Sequence, residues 1–130
     1  MISTKTHGVL DYMVAILLIA MPWIIGVHGK NPQTYIPVTL GILTIGYSLI
    51  TRYEFGALQI ISMRTHLILD ILNGLILATS PWVFGFADEI MSPYLFGGIL
   101  ELIVVALSKR EPQFKASRTF YTRRFSGKEY

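Results

Sequence analysis

The chain has 130 residues, 52% hydrophobic and only 15% charged, with a net charge of +3 and a positive mean hydropathy. That is one domain's length with a membrane protein's composition, and a soluble fold is not expected. Zero cysteines exclude disulfides, thiol nucleophiles, iron–sulfur clusters and zinc–thiolate sites.

Four apolar runs follow in chain order, at 9–27, 35–50, 67–86 and 94–107. A bilayer core of about 30 Å asks for about 20 helical residues, which the first and third runs supply. The second and fourth have 16 and 14 residues, roughly 24 and 21 Å of helix at 1.5 Å per residue. They need local thinning, extension on the Pro37 or Lys109 side, or shielding by partners. The reading is an all-α membrane protein, a four-transmembrane-helix bundle in residues 1–110 with a basic aromatic tail at 112–130.

Residues 1–21 carry Lys5, an apolar stretch and Ala20, the outline of a secretory signal. Asp11 interrupts the stretch, Pro22 sits badly for cleavage, and the same pattern returns in mid-chain. The first run is therefore expected to stay as a span. The short connections 29–34 and 87–93 join the runs into antiparallel hairpins. Between the hairpins, residues 52–65 set Phe55, Leu58, Ile61 and Met63 among Glu54, Gln59, Ser62 and Arg64. This suits a short helix lying in the interface, or equally an extension of the third span.

Ten of the eleven cations fall on one side of this topology: Lys5, Arg52, Arg64, Lys109, Arg110, Lys115, Arg118, Arg123, Arg124 and Lys128. Lys30 is on the other, with Asp88 and Glu89. The positive-inside rule then puts both termini in the cytoplasm of a prokaryotic inner membrane, and nucleic acid is not needed to explain the charge. The tail cations Lys115, Arg118, Arg123, Arg124 and Lys128, among Phe114, Phe120, Tyr121, Phe125 and Tyr130, fit adsorption to anionic lipid at about 1 kcal/mol each. A partner-docking tail is the alternative.

The organising feature is an internal duplication. His7, Asp11, Pro22, Trp23, Gly26 and Tyr35 recur 59 residues later as His66, Asp70, Pro81, Trp82, Gly85 and Tyr94. The copies, about 7–55 and 66–114, align without a gap. With two spans each they form a parallel repeat, its pseudo-two-fold axis along the membrane normal. At 100° per residue, His7, Asp11, Ala15, Leu18, Pro22 and Gly26 share an arc of about 100°, as do their copies. Ala15, Gly74 and Ala78 are small enough for close helix packing, so the first and third spans are expected to meet along this face.

His7 with Asp11 and His66 with Asp70 are i,i+4 pairs. The plain reading is capping and pairing within each helix, near its N-terminus. The sharper one is a polar pocket at the axis for protons, an ion or a cofactor, because ionisable groups inside a span point to function. No cofactor or metal is expected; haem on His7 and His66, or a quinone, is the alternative. Glu101 lies midway along the fourth run, at the depth of Asn73, and the pair is expected to hydrogen-bond. Their counterparts Ile42 and Val14 are apolar, so this polar pair belongs to the second copy alone.

Pro22–Trp23 and Pro81–Trp82 stand at the far ends of their spans, where Trp anchors at the headgroups and Pro bends or ends a helix. The second copy reads Ser80-Pro81-Trp82 with Gly85 following. Here the chain resembles the SPW-repeat family of small prokaryotic membrane proteins, which carry two two-span units with Ser-Pro-Trp in the first span of each. The resemblance covers nearly all of 7–110; the first copy departs from it in having Met21 where Ser80 stands. It implies a four-span bundle and carries over no activity.

No nucleophile–base set, phosphate loop or HExxH is present, so an enzyme is not expected. The leading expectation is a scaffold or accessory subunit acting through helix association, as a homo-oligomer or with a membrane protein partner. The alternatives are proton, ion or small-solute translocation through Asp11, Asp70 and Glu101, and lipid or cofactor binding on the His/Asp face.

Overall fold

The structure, a computed structural model, describes residues 1–111. The tail cations Lys115, Arg118, Arg123, Arg124 and Lys128 lie outside the described residues.

The described residues form four helices: α1 (Thr4–Ile24), α2 (Pro32–Leu49), α3 (Met63–Val83) and α4 (Ser92–Leu107). Each of the first three starts on a side chain that accepts an otherwise unpaired helical N–H. Ser3 accepts from Thr6, Asn31 from Thr34 and Ser62 from Thr65. Prolines at the first turns of α2 and α4 suit positions whose N–H has no helical partner. α1 and α3 both end on a left-handed glycine, Gly26 at φ 76° and Gly85 at φ 72°. The following N–H returns to a proline carbonyl, Val27 to Pro22 at 2.9 Å and Phe86 to Pro81 at 2.8 Å. These are matching Schellman ends, and the repeated Pro-Trp-x-x-Gly pattern writes them into the sequence.

α1 and α3, with 21 residues each, are long and apolar enough to cross a membrane, and α4 is a shorter apolar helix. The two helices expected to be short gain residues at their N-termini: α2 starts at Pro32 and α4 at Ser92. The Lys109 side adds none, because Ser108 is already extended at ψ 144°. The interior is polar and the exterior apolar. Among the described residues, thirteen buried residues are polar or charged against eleven hydrophobic ones, while Met13, Ile16, Ile42, Ile68, Leu72 and Phe96 are exposed. A water-soluble core has the opposite pattern; this one suits a lipid surround.

α1 packs along α2, α3 along α4, and α2 against α3, with no comparable seam between α1 and α4. The small residues set these contacts. A Cβ on Gly41 would meet the Ala15 carbonyl oxygen at 2.6 Å, and one on Gly98 would collide with the Gly74 carbonyl oxygen and Ala78. Ala15, Gly74 and Ala78 therefore pack inside their own hairpins. The expectation that they join α1 to α3 is corrected: Gly41 and Gly98 draw each second helix onto them, and α1 reaches α3 through longer side chains. At the far end of the bundle from the histidines, Leu18, Met21, Leu40, Leu77, Phe86 and Tyr94 form an apolar core.

The connector 50–62 is not an interfacial helix. It folds back on itself, with Arg52 N–H donating to Ile61 O at 2.9 Å and Thr51 bridged to Ile61. Only its last residues lead into α3, which begins at Met63. The physical reason is tight backbone contact: a Cβ on Gly56 would collide with the Thr51 carbonyl, and Tyr53 is buried against Gly8. Burial pushes the Tyr53 phenol above its ordinary range and keeps it neutral. A second bridge, Ile2 to Ser108, ties the start of α1 to the end of α4.

Candidate functional site

Asp11 and Asp70 are each the eighth residue of their helices, about 10 Å from the helix start at 1.5 Å per residue. Ser3 and Ser62 do the capping, so the aspartates are free of it. The hydrogen bonds run across the repeats: His7 Nε2 lies 3.0 Å from Asp70 Oδ2, and His66 Nε2 lies 2.9 Å from Asp11 Oδ2. The i,i+4 contacts are slightly longer, 3.2 Å in both copies. Pairing purely within each helix is thus corrected to a four-membered ring that joins α1 to α3. The reason is the rotation of the two duplicated faces toward one axis, which puts each carboxylate within hydrogen-bond reach of both imidazoles. The rings meet edge-on with centroids 5.4 Å apart. All four residues are buried.

Each imidazole is fixed from behind by a hydroxyl. His7 Nδ1 lies 2.8 Å from Ser108 Oγ, whose own proton goes to the Val104 carbonyl at 2.6 Å. His66 Nδ1 lies 2.9 Å from Thr51 Oγ1, which donates to the Tyr47 carbonyl at 2.6 Å. With both hydroxyl protons used, each oxygen accepts, so each Nδ1 carries the hydrogen and each Nε2 faces the carboxylates. Tyr47 donates to Asp70 Oδ1 at 2.6 Å.

From Tyr47 the polar contacts continue about one helical turn further from the histidines. Its hydroxyl is 3.2 Å from Thr44 Oγ1, which accepts from Asn73 Nδ2, and the same amide donates to Glu101 Oε1 at 2.9 Å. The expected Asn73–Glu101 bond is present. The other carboxylate oxygen of Glu101 is buried with no protein partner.

The repeat motif lies at the opposite end. Trp23 and Trp82 are half exposed, at 56% and 53%. Pro22 and Pro81 are buried, and the Ser80 hydroxyl donates to the Leu77 carbonyl at 2.7 Å. Ser80 is therefore satisfied by its own helix, and Met21 fills the same place in the first copy without a hydroxyl.

Between α1 and α4 runs a groove of about 340 Å³, walled by Val14, Leu17 and Ile24 on one side and Gly97, Leu100 and Val104 on the other. His7, Asp11, Thr44, Asp70 and Glu101 also line it. The pseudo-two-fold mate of this seam, α2 against α3, is closed. The duplication is thus asymmetric in packing as well as in the polar pair of Asn73 and Glu101.

The sequence did not point to Tyr47, Thr51, Ser108 or Thr44. Thr51 and Ser108 do the same task 57 residues apart, out of the 59-residue register, so the repeat conceals their equivalence. Ser3/Ser62 and Thr6/Thr65 do keep the register, and extending the repeat upstream of His7 finds them.

The family model for the SPW repeat domain matches residues 5–109. The chain belongs to the SPW repeat family. No curated protein and no solved structure matches it. With two span-length helices and that family match, this SPW repeat protein is a helical membrane protein. The match encloses both SPW repeats, the His/Asp ring and the α1/α4 groove.

Proposed function

We propose that the chain is a non-enzymatic four-span protein of the prokaryotic cytoplasmic membrane, both termini cytoplasmic, that holds one amphiphilic lipid in the α1/α4 groove. The observation that carries this reading is the unpartnered, buried Glu101 oxygen beside a groove whose facing walls on α1 and α4 are mostly apolar. A buried polar atom without a partner costs about 1–3 kcal/mol, which a ligand's polar head would offset while its chain covers the apolar walls. The open seam faces sideways, the direction from which a lipid arrives.

The other readings draw less support. A translocation path through Asp11, Asp70 and Glu101 needs polar groups at successive depths. Here Glu101, level with Asn73, lies only about one helical turn beyond the Asp11 and Asp70 level, and the apolar core cluster of Leu18, Met21, Leu40, Leu77, Phe86 and Tyr94 lies beyond it. A scaffold or accessory subunit rests on exposed apolar faces, which lipid covers as well as a partner does.

The test is extraction and mass analysis of amphiphiles retained by protein purified in detergent. Wild type should retain about one equivalent. Val14→Trp, which fills the groove, and Glu101→Leu, which removes the polar anchor, should both lose it. Wild type free of retained amphiphile, or undiminished retention in both variants, would overturn the reading.

A further inference from the structure

We propose that His7, Asp11, His66 and Asp70 form a binding site for one divalent transition-metal ion, of the zinc type, at the pseudo-two-fold axis. One ligand atom from each residue can be chosen so that all four lie within 4.8 Å of one another. Asp70 Oδ2 lies 3.0 Å from His7 Nε2 and 3.2 Å from His66 Nε2, and Asp11 faces the same two nitrogens through its two oxygens, Oδ1 at 3.2 Å and Oδ2 at 2.9 Å. Every ligand pair of a tetrahedral ion with bonds of about 2.0 Å is about 3.3 Å apart, so these contacts match to within a few tenths of an ångström and the wider pairs, at most 4.8 Å apart, close as the ring puckers.

Proton counting points the same way. The hydroxyls of Ser108 and Thr51 hold a hydrogen on each Nδ1, so each Nε2 has at most one proton to share between two carboxylates. Two protons cannot make four good hydrogen bonds, whereas a central cation meets all four atoms at once. The exchange balances: one divalent ion enters, two Nε2 protons leave, and the ring of two imidazoles and two carboxylates stays neutral. Both histidines already have what metal-binding imidazoles need, an Nδ1–H anchored to an oxygen and an Nε2 aimed inward. Tyr47 similarly steadies the outer oxygen of Asp70. A donor set of two imidazoles and two carboxylates with no sulfur suits zinc, iron or cobalt rather than copper(I). The groove reaches His7, Asp11 and Asp70 and gives an ion an approach.

The experiment uses the full chain in detergent, stripped with chelator and titrated with Co²⁺ and then Zn²⁺. The expected result is about one Co²⁺ per chain, with the visible bands of a four-coordinate nitrogen–oxygen site, displaced by Zn²⁺. His28→Gln, at the far end of the bundle, should behave as wild type, and Asp11→Asn with Asp70→Asn should abolish binding. Thr51→Val and Ser108→Ala leave the ligands in place but free the imidazoles, and should weaken binding about 10- to 100-fold. They keep the test decisive if the aspartate variants do not fold. Wild type that binds no stoichiometric Co²⁺ or Zn²⁺ would overturn the proposal and leave a ring held by protons alone, and binding unchanged in the Thr51 and Ser108 variants would overturn it by placing the ion elsewhere. Amphiphile retention is measured separately, so the metal site and the groove stand or fall independently.

Discussion

His7 and Asp70 are 63 residues apart in the chain and 3.0 Å apart in the fold, nearer than His7 is to Asp11 on its own helix. Two copies of one helix face have become a single buried ring, and the ring links α1 to α3.

A double-mutant cycle on His7→Gln and Asp70→Asn should give a coupling energy of about 1–3 kcal/mol in thermal or denaturant unfolding. Pairing confined to each helix predicts none. The cycle on His66 and Asp11 should match it, since the second crossing is 2.9 Å.

The two copies use equivalent helix ends, which can be tested separately from the ring. Gly26→Ala and Gly85→Ala should each cost about 1 kcal/mol, because both positions are left-handed and a Cβ at either meets nothing within 4 Å. The penalty is then purely conformational and equal in the two copies. A larger loss in one would show that its Schellman end carries tertiary contacts as well.

Gly98 and Gly46 should respond in opposite directions to alanine. At Gly98 the new methyl meets the Gly74 carbonyl and Ala78, and a loss of about 1–3 kcal/mol in unfolding is expected. Gly46 is exposed on α2 with open space around it, so alanine should gain up to about 1 kcal/mol of helix propensity.

Asn73→Leu strands the Glu101 carboxyl and should destabilise by about 1–3 kcal/mol, whereas Asn73→Leu with Glu101→Leu should recover most of that loss. If the double variant is no better than the single, Asn73 matters through Thr44 instead.

The proposed parallel insertion of the copies makes a prediction about depth. Single-tryptophan variants retaining Trp23 or Trp82, both half exposed at equivalent helix ends, should be quenched equally by lipids brominated at the same acyl position. Unequal quenching would mean that only one hairpin is fully inserted.

The sequence by itself determined the helices, the duplicated face and the polar pair of Asn73 and Glu101. These are written in local sequence: apolar runs of helical length, glycine after Pro-Trp, and a fixed offset between copies. It did not determine that Ala15 would pack on Gly41 and Gly74 on Gly98, nor that the connector would fold back around Tyr53. Those depend on which surfaces fit when helices meet. The crossing of His7 to Asp70 and the hydroxyls behind each imidazole were decided only in three dimensions. Thr51 and Ser108 come from opposite ends of the chain and do not keep the repeat's register. The open α1/α4 seam is the fullest case. Two copies that share a framework of His, Asp, Pro, Trp and Gly closed one junction and left the other apart, because packing depends on the many side chains in which the copies differ.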